Sequence, residues 1–309
     1  MKKLLLTAAI AMAGAGYASA DVELIANLFE GNQNVSWENT LMIAPELFAE
    51  AEPGYYIEIT FSATTDVIEL KSDGQWLPGS RYTWLGEGVE SYRSYLTNAG
   101  VEALKANGLE LCGPDFTVTG VSLYNDGFVM PENAVWGGYF WVADWDTLEI
   151  WKTAFSNYNG EKYLVVNLSD DNGDYADYVV NVRTSWNPDG IIAENPDVEK
   201  TANYAVVDLE NVNFAEMLAS TDRVMIQGNP EGGNPFNFTS VVLTNTLPGE
   251  EGGDTGSMAT LDIVSSTVDV YNLQGVLVKK GVNASDVLTN LPKGVYVLKD
   301  QNTCRKVVK

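Results

Sequence analysis

The sequence predicts an all-β fold, with two tandem β-sandwiches followed by a third, smaller sandwich at the C-terminus. Three observations support this fold class. Short runs of alternating apolar and polar residues fill most of the chain, the two halves of residues 21–246 repeat the same blocks, and a Gly- and acid-rich segment separates off residues 258–309. The 309 residues are also enough for more than one hydrophobic core.

The alternating runs predict strands, and the breaks between them predict turns. β-branched and aromatic residues recur at every second position, and Gly, Asp and Asn separate the runs, which is typical of antiparallel sandwiches. The clearest runs cover residues 55–61, 67–70, 116–123, 163–168 and 178–182. Helical periodicity is scarce. The best segment, residues 101–107, is followed by Gly108 and predicts one short helix.

Four blocks of sequence recur in the same order at a spacing of about 110 residues. Residues 37–43 resemble 145–150, residues 54–61 resemble 160–168, residues 75–79 resemble 185–190, and residues 101–113 resemble 215–228. The repeat predicts two related sandwiches, residues 21–130 and residues 131–246, each of normal size for one all-β domain.

Residues 247–257 form the predicted linker, because they lack apolar periodicity and are rich in Gly, Pro and acidic residues. The net charge changes sign across this linker. Residues 257–309 carry seven Lys and Arg against four Asp, or +3, whereas residues 21–256 carry nine basic against 38 acidic residues, or −29. Such a break supports a domain boundary.

The first 20 residues are typical of a secretory signal peptide. Two lysines precede an apolar stretch over residues 4–13, and small residues at 18–20 form a cleavage site. The alternative is a buried N-terminal helix, which does not explain this combination. We therefore expect a mature chain that begins near Asp21 and is secreted or surface-bound. No other apolar run approaches the roughly 18 residues of a membrane span.

The composition excludes several classes of function. With 18 Lys and Arg against 42 Asp and Glu, the formal net charge is −24, which disfavours nucleic-acid and peripheral membrane partners. The chain has no His, so neither Ser-His-Asp and Cys-His triads nor His-based zinc sites can form. Cys112 and Cys304 do not make a disulfide framework, so we expect two buried thiols.

Carboxylates remain the main side chains that could carry chemistry. A glycoside hydrolase needs only two carboxylates. The chain offers many candidates for such a pair, among them Asp144 with Asp146, Glu69 and Asp73. In so acidic a chain, however, solvated surface carboxylates are the default interpretation. No catalytic residue is therefore predicted.

One acidic cluster could bind calcium, because Asp170, Asn172 and Asp174 offer the hard oxygen ligands that this ion prefers. The alternative is an acidic hairpin turn with Asn172 and Gly173 at its tip, and we favour this turn. No other cofactor is expected.

Aromatic residues carry the ligand hypothesis. The chain has eight Trp and 15 Tyr, and sugars stack their C–H faces on such rings while polar neighbours bind the hydroxyl groups. The densest group of aromatic residues lies between residues 76 and 95. The sequence repeat aligns Trp186 of the second copy with Trp76 of the first. The predicted ligand-binding residues are Trp76, Arg81, Tyr82, Trp84, Glu87 and Trp186.

Several tryptophans are equally well explained as structural residues. Trp76 and Trp186 occupy corresponding blocks of the repeat, which suits a shared structural role as well as a binding role. Trp37, Trp145 and Trp151 alternate with apolar residues, and this pattern predicts core rings.

The order of the blocks resembles the galactose-binding-like jelly rolls attached to polysaccharide-degrading proteins of Bacteroidetes. The resemblance covers residues 22–245 as two copies, and it rests on the strand order and on residues 113–123, which read Gly-Pro-Asp-Phe-Thr-Val-Thr-Gly-Val-Ser-Leu. It implies two carbohydrate-binding-module-like jelly rolls without catalytic activity. The second copy departs from the pattern by an insertion at residues 229–235, where the first copy has a tight turn.

Residues 258–309 are similar to C-terminal sorting domains of the Bacteroidetes type IX secretion system and to related Ig-like tail modules. Residues 268–280, 291–298 and 305–309 carry this similarity. A sorting domain implies recognition by the secretion machinery and removal afterwards, whereas a tail module implies a retained spacer. Both alternatives imply a small Ig-like β-sandwich.

Taken together, these patterns predict a secreted or cell-surface protein that binds a glycan on loop aromatics and has no enzymatic activity. A surface adhesin or structural protein that binds no glycan is the first alternative. A glycoside hydrolase is the second.

Overall fold

A computed structural model of the chain describes three β-rich regions. The described residues are 22–62, 67–85, 88–169, 178–194, 198–201, 203–230, 235–248, 267–272, 277–283, 295–299 and 304–308. Most of them lie in antiparallel strands that form several sheets, so the predicted all-β fold class is confirmed. Among these residues, no helix has the length and apolar character that a membrane crossing requires.

The first sandwich packs two four-stranded sheets around one hydrophobic core. Their orders are β1-β9-β3-β7 and β2-β8-β4-β5, and the core includes Phe48, Ile57 and Leu104. The strands of this region are β1 (Glu23–Val35), β2 (Leu41–Ile43), β3 (Tyr56–Ser62), β4 (Glu69–Ser72), β5 (Gln75–Trp76), β6 (Arg81–Tyr82), β7 (Ser91–Tyr95), β8 (Leu109–Cys112) and β9 (Phe116–Asn125), with a 3-10 helix at Pro45–Phe48 and helix α1 at Asn98–Asn107.

The second sandwich packs two five-stranded sheets around a separate core, which includes Phe155, Val180 and Phe238. Their orders are β10-β18-β12-β16-β15 and β14-β13-β17-β11-β6. The elements are β10 (Ala134–Val142), β11 (Thr147–Trp151), β12 (Tyr163–Ser169), β13 (Tyr178–Arg183), β14 (Ile191–Ala193), β15 (Glu199–Lys200), β16 (Tyr204–Asp208), β17 (Arg223–Pro230), β18 (Phe236–Thr244), α2 (Phe214–Ala219) and 3-10 helices at Lys152–Phe155 and Pro188–Gly190.

The C-terminal residues 254–309 form a compact unit distinct from residues 1–253. The strands described there form one antiparallel sheet of order β20-β19-β21-β22. They are β19 (Thr267–Asn272), β20 (Leu277–Asn283), β21 (Val295–Lys299) and β22 (Cys304–Val308).

The two larger sandwiches share one strand order. The sheet β1-β9-β3-β7 corresponds to β10-β18-β12-β16, and β2-β8-β4-β5 corresponds to β11-β17-β13-β14. A 3-10 helix follows the second strand of each copy, and a short α-helix precedes the eighth strand in both. Three of the four repeated sequence blocks therefore coincide with repeated topology, and the pairing of residues 75–79 with 185–190 does not.

The sandwiches are joined by β6, which follows β5 of the first sandwich but pairs with β11 of the second. Next to this strand, the rings of Trp76 and Trp151 stack with their centroids 4.1 Å apart and their planes 2° apart. Tyr82 contacts Trp151 edge-on at 5.5 Å. Aromatic packing therefore holds this junction together.

The predicted short helix is present as α1, and its two ends have clear physical causes. The hydroxyl of Thr97 accepts a hydrogen bond from the backbone N–H of Gly100 at 3.2 Å, which caps the N-terminus. Gly108 ends the helix at φ 77° and ψ −168°, a region of positive φ that essentially only glycine adopts. A Cβ atom at this position would lie 2.2 Å from the carbonyl oxygen of Ile43.

We expect Gly108→Ala to destabilise the first sandwich by at least about 3 kcal/mol, because an alanine at positive φ costs about 1–2 kcal/mol and the methyl group also collides with backbone. Gly74→Ala is the matched control, since Gly74 has φ 68° but no atom within 4 Å of its added Cβ. That control should lose only about 1–2 kcal/mol. Urea unfolding of both variants measures the difference, and equal losses would contradict the collision.

Two rings predicted to be core are exposed instead. Trp37 is 52% and Trp145 is 47% exposed, whereas Trp151 is buried at 4%. The prediction was wrong because both rings lie in turns that precede a strand, where strand alternation does not apply. The hydroxyl oxygen of Ser36 accepts backbone hydrogen bonds across the turn at Trp37, and Trp145 has a left-handed φ of 56°.

The predicted correspondence of Trp76 with Trp186 is also wrong. Trp76 lies in the edge strand β5, whereas Trp186 lies in the loop between β13 and the 3-10 helix Pro188–Gly190. The predicted burial of the Cys112 thiol is confirmed. The side chain of Cys304 lies outside the described residues.

Candidate functional site

One face of the sheet β14-β13-β17-β11-β6 gathers aromatic and arginine side chains from both sandwiches. Along β11, Leu148 and Ile150 are buried in the core, so Glu149 and Trp151 project from the opposite, outer face. We call this outer surface the arginine–aromatic face. Its side chains are Tyr82, Glu149, Trp151, Arg183, Trp186, Arg223 and Met225.

The strand register aligns four of these side chains in one row. Tyr82 pairs with Glu149, Glu149 with Met225, and Met225 with Arg183. Directly paired residues of antiparallel strands lie on the same face. With strands about 4.8 Å apart, the row from Tyr82 to Arg183 spans about 14 Å. Met225 in the middle of the row is only 3% exposed, so a ligand could reach mainly the side chains at its two ends.

At one end of the row, Arg223 is fixed by a carboxylate and two rings. Its Nε lies 2.9 Å from Oε2 of Glu149. Its guanidinium carbon lies 4.5 Å from the ring centroid of Tyr82 and 5.9 Å from that of Trp151. Such contacts hold the guanidinium in place while leaving other N–H groups of its five available.

At the other end, Arg183 is fixed in the same way. Its Nη2 donates a hydrogen bond to Oε1 of Glu194 at 2.5 Å. Its guanidinium carbon lies 5.2 Å from the centroid of the Trp186 ring. That ring is 59% exposed. An exposed ring backed by a paired arginine is a rigid stacking surface with hydrogen-bond donors at its edge.

The two arginines of this face are balanced by the two glutamates that pair with them. Burial raises the pKa of Glu149, and the neighbouring Arg223 acts in the opposite direction. The face therefore carries little net charge, although the whole chain carries −24. Near-neutral surfaces of this kind do not repel or attract a ligand by long-range charge.

The structure separates the residues predicted between positions 76 and 95. Trp76 packs on Trp151 at the junction, and Tyr82 lies on the arginine–aromatic face. Arg81 projects from the other side of β6, where its guanidinium carbon lies 5.6 Å from the Tyr92 ring and 5.3 Å from the Phe140 ring.

The other residues predicted to bind a ligand or calcium lie apart from one another or outside the described residues. Trp84 is 67% exposed and its backbone forms an isolated bridge with Val67. Trp186 lies on the arginine–aromatic face. Glu87 and the calcium candidates Asp170, Asn172 and Asp174 lie outside the described residues. In the part of the chain that is described, acidic and cysteine side chains form no group of three or more that could hold a metal ion.

Sequence reasoning missed Glu149, Arg183 and Arg223 as possible site residues. Each lies at an outward position of a strand whose neighbouring residues are core, such as Ile150 beside Glu149 and Val182 beside Arg183. A polar residue at such a position is the ordinary pattern of a half-buried strand. Only the pairing of β11, β13 and β17 brings the three together.

The fold and this face define a class, an all-β protein of tandem sandwiches with a near-neutral arginine–aromatic sheet face. No protein-family model matches the chain, and no curated protein matches it. Among solved structures, the chain is similar to one titled "Bacteroides ovatus mixed-linkage glucan utilization locus (MLGUL) SGBP-B in complex with mixed-linkage heptasaccharide". The identity is 20% and the TM-score is 0.28, over 32% of this chain and 30% of that chain.

Proposed function

We propose that the protein is a secreted or cell-surface, non-catalytic carbohydrate-binding protein, and that its second sandwich binds a glycan on the arginine–aromatic face. One observation carries this proposal. The exposed ring of Trp186 lies against Arg183, on the same sheet face as Tyr82 and Arg223.

The chemistry of the face suits a polyhydroxylated, uncharged ligand. A sugar ring can stack its C–H face on Trp186 or Tyr82, and the N–H groups of the partly exposed Arg223 that do not face Glu149 can donate to its hydroxyl oxygens. The carboxylate of Glu194, which is 44% exposed, can accept from its hydroxyl groups. Both arginines are already held by their carboxylates, so little side-chain entropy is lost on binding.

The proposed location and partners rest on the sequence patterns of residues 1–20 and 258–309. The signal-peptide pattern of residues 1–20 supports export, and the resemblance of residues 258–309 to sorting or tail modules supports delivery to the cell surface. We therefore propose a polysaccharide as the ligand and, where the tail is a sorting domain, the secretion machinery as a transient partner.

Trp186→Ala should weaken glycan binding roughly tenfold, because a stacked ring contributes about 1–1.5 kcal/mol and 1.4 kcal/mol corresponds to a factor of ten. An array of plant and mucin polysaccharides identifies the bound glycan, and titration calorimetry then compares the variants. Trp141→Ala is the matched control. Trp141 is exposed, but its strand β10 belongs to the other sheet of the second sandwich.

Three outcomes would decide against parts of this proposal. No binding to any polysaccharide favours an adhesin or structural protein. If Trp186→Ala and Trp141→Ala weaken glycan binding equally, the binding site does not lie on the arginine–aromatic face. A loss confined to Trp84→Ala places the site at the segment between residues 76 and 95, which was predicted from the sequence.

A further inference from the structure

The first sandwich contains a sheet that corresponds strand by strand to the one carrying the arginine–aromatic face. The order β2-β8-β4-β5 matches β11-β17-β13-β14. The strand that supplies Arg183 in the second sandwich, β13, therefore corresponds to β4 in the first. Any side chains on the outer face of β4 occupy the equivalent surface.

The outer face of β4 repeats the same three-part arrangement of cation, carboxylate and exposed indole. Leu70 and Ser72 are buried, so Glu69 and Lys71 project outward. The Nζ of Lys71 lies 2.9 Å from Oε2 of Glu69 and 6.0 Å from the centroid of the Trp37 ring. Trp37 is more than half exposed.

The two arrangements are built from different parts of the repeat. The second sandwich takes its tryptophan from the loop after β13, whereas the first takes Trp37 from the turn before β2. Sequence alignment of the copies therefore does not pair Trp37 with Trp186. The shared feature is a cation on equivalent strands, held between a carboxylate and an exposed ring.

The surroundings of Lys71 extend this surface across four strands. Lys71 pairs with Glu110 on one side and with Trp76 on the other, and Glu110 pairs with the exposed Met42. The row thus offers an apolar side chain, a carboxylate and an ammonium group, and it ends at Trp76, whose ring packs on Trp151. The backbone of the turn that carries Trp37 is fixed by hydrogen bonds that the Ser36 hydroxyl accepts, so less backbone entropy is lost when a ligand binds there.

We propose that this outer face of β2-β8-β4-β5 is a second glycan-binding site, with Trp37 as the stacking ring and Lys71, Glu69 and Glu110 as partners of the hydroxyl groups. The inference rests on the proposed function of the second sandwich. The ligand is a neutral glycan, because the cation is already paired and Glu110 would repel an acidic one.

Two sites on one chain make the protein bivalent toward a long polysaccharide. Once one site is bound, the second site binds the same chain at a high effective concentration. A long glycan that reaches both sites should therefore bind about a hundredfold more tightly than a short fragment of it, which is the lower end of the range for linked sites.

Titration calorimetry of the full mature chain tests the proposal, with cellohexaose, xylohexaose and mannohexaose as neutral probes and hexagalacturonic acid as the acidic probe. We expect two molecules of one neutral hexasaccharide per chain. Trp37→Ala and Trp186→Ala should each retain one, the double variant none, and Trp141→Ala two. Unchanged thermal unfolding of Trp37→Ala confirms that this variant is folded.

The outcomes separate the two proposals. A single bound molecule that is lost in Trp186→Ala and kept in Trp37→Ala overturns the second site and leaves the first. A single molecule that is lost only in Trp37→Ala supports the site on the first sandwich and overturns the placement on the second. Binding of hexagalacturonic acid alone overturns the neutral class, and no binding of any probe overturns both proposals.

Discussion

Trp151→Ala is expected to lower the free energy of unfolding by about 3–5 kcal/mol, the usual range for truncating a large buried aromatic ring. Trp151 is 4% exposed, and it sits where the two sandwiches meet. Its ring stacks on Trp76 and contacts Tyr82 edge-on. Truncation therefore removes packing in the second sandwich and the aromatic contact with the first.

The contact with Trp76 can be isolated by a double-mutant cycle. Trp76→Ala, Trp151→Ala and the double variant should give a coupling energy of about 0.5–1.5 kcal/mol, as measured for stacked aromatic pairs. Urea unfolding followed by circular dichroism provides the free energies. In the Trp151 variant, the fluorescence of Trp76 should also become more accessible to a soluble quencher.

Trp84→Ala is the control for the loss of a large ring. Trp84 is mostly exposed, and truncation of an exposed side chain normally changes stability by less than about 0.5 kcal/mol. If Trp151→Ala behaved like this control, the stack would not support the junction. The two sandwiches would then be joined by the pairing of β6 with β11 and not by the aromatic stack.

Much of the fold could be predicted because its signals are local. The period-two runs correspond to β3, β9, β12 and β13, and Gly108 marks the end of α1. Strand β6 was not predicted, since it has two residues and its partner β11 lies nearly 70 residues further along the chain. Long-range pairing of a very short strand leaves no periodic pattern in the sequence.

The candidate site could be predicted only in part, for a related reason. Aromatic density identified Tyr82, and the repeat identified Trp186 through a pairing with Trp76 that is wrong; the structure nevertheless brings Tyr82 and Trp186 to one sheet face. Arg183 and Arg223 are ordinary outward residues of their strands until β13 and β17 pair. Exposure of Trp37 was missed because apolar neighbours in the sequence do not reveal that the ring lies in a turn.

Alkaline solution should unfold the protein between about pH 10 and 12, because three buried tyrosines resist ionisation in the folded state. Burial raises the pKa of Tyr56 to about 12, and it also raises the pKa values of Tyr95 and Tyr178. The phenol of Tyr95 donates to Asp126, and that of Tyr178 donates to the carbonyl oxygens of Thr201 and Tyr204.

The sign follows from proton linkage. Since each folded-state pKa lies above the unfolded value near 10, the folded state keeps protons that the unfolded state releases. The stabilisation is complete below pH 10 and is lost as the pH rises toward the folded pKa. Each tyrosine lowers the free energy of unfolding by about 1.4 kcal/mol per pH unit. Three tyrosines over two pH units therefore lower it by about 8 kcal/mol. That loss is comparable to the whole stability of a typical domain.

Tyr56→Phe supplies the internal control, because it deletes one of the three phenols and keeps the buried ring. The slope of unfolding free energy against pH should fall by about one third, or about 1.4 kcal/mol per pH unit. Urea unfolding at a series of pH values measures this slope, and the ultraviolet absorbance of phenolate reports ionisation. If every tyrosine ionised while circular dichroism still showed native sheet, burial of these three phenols would not determine the pH at which the protein unfolds.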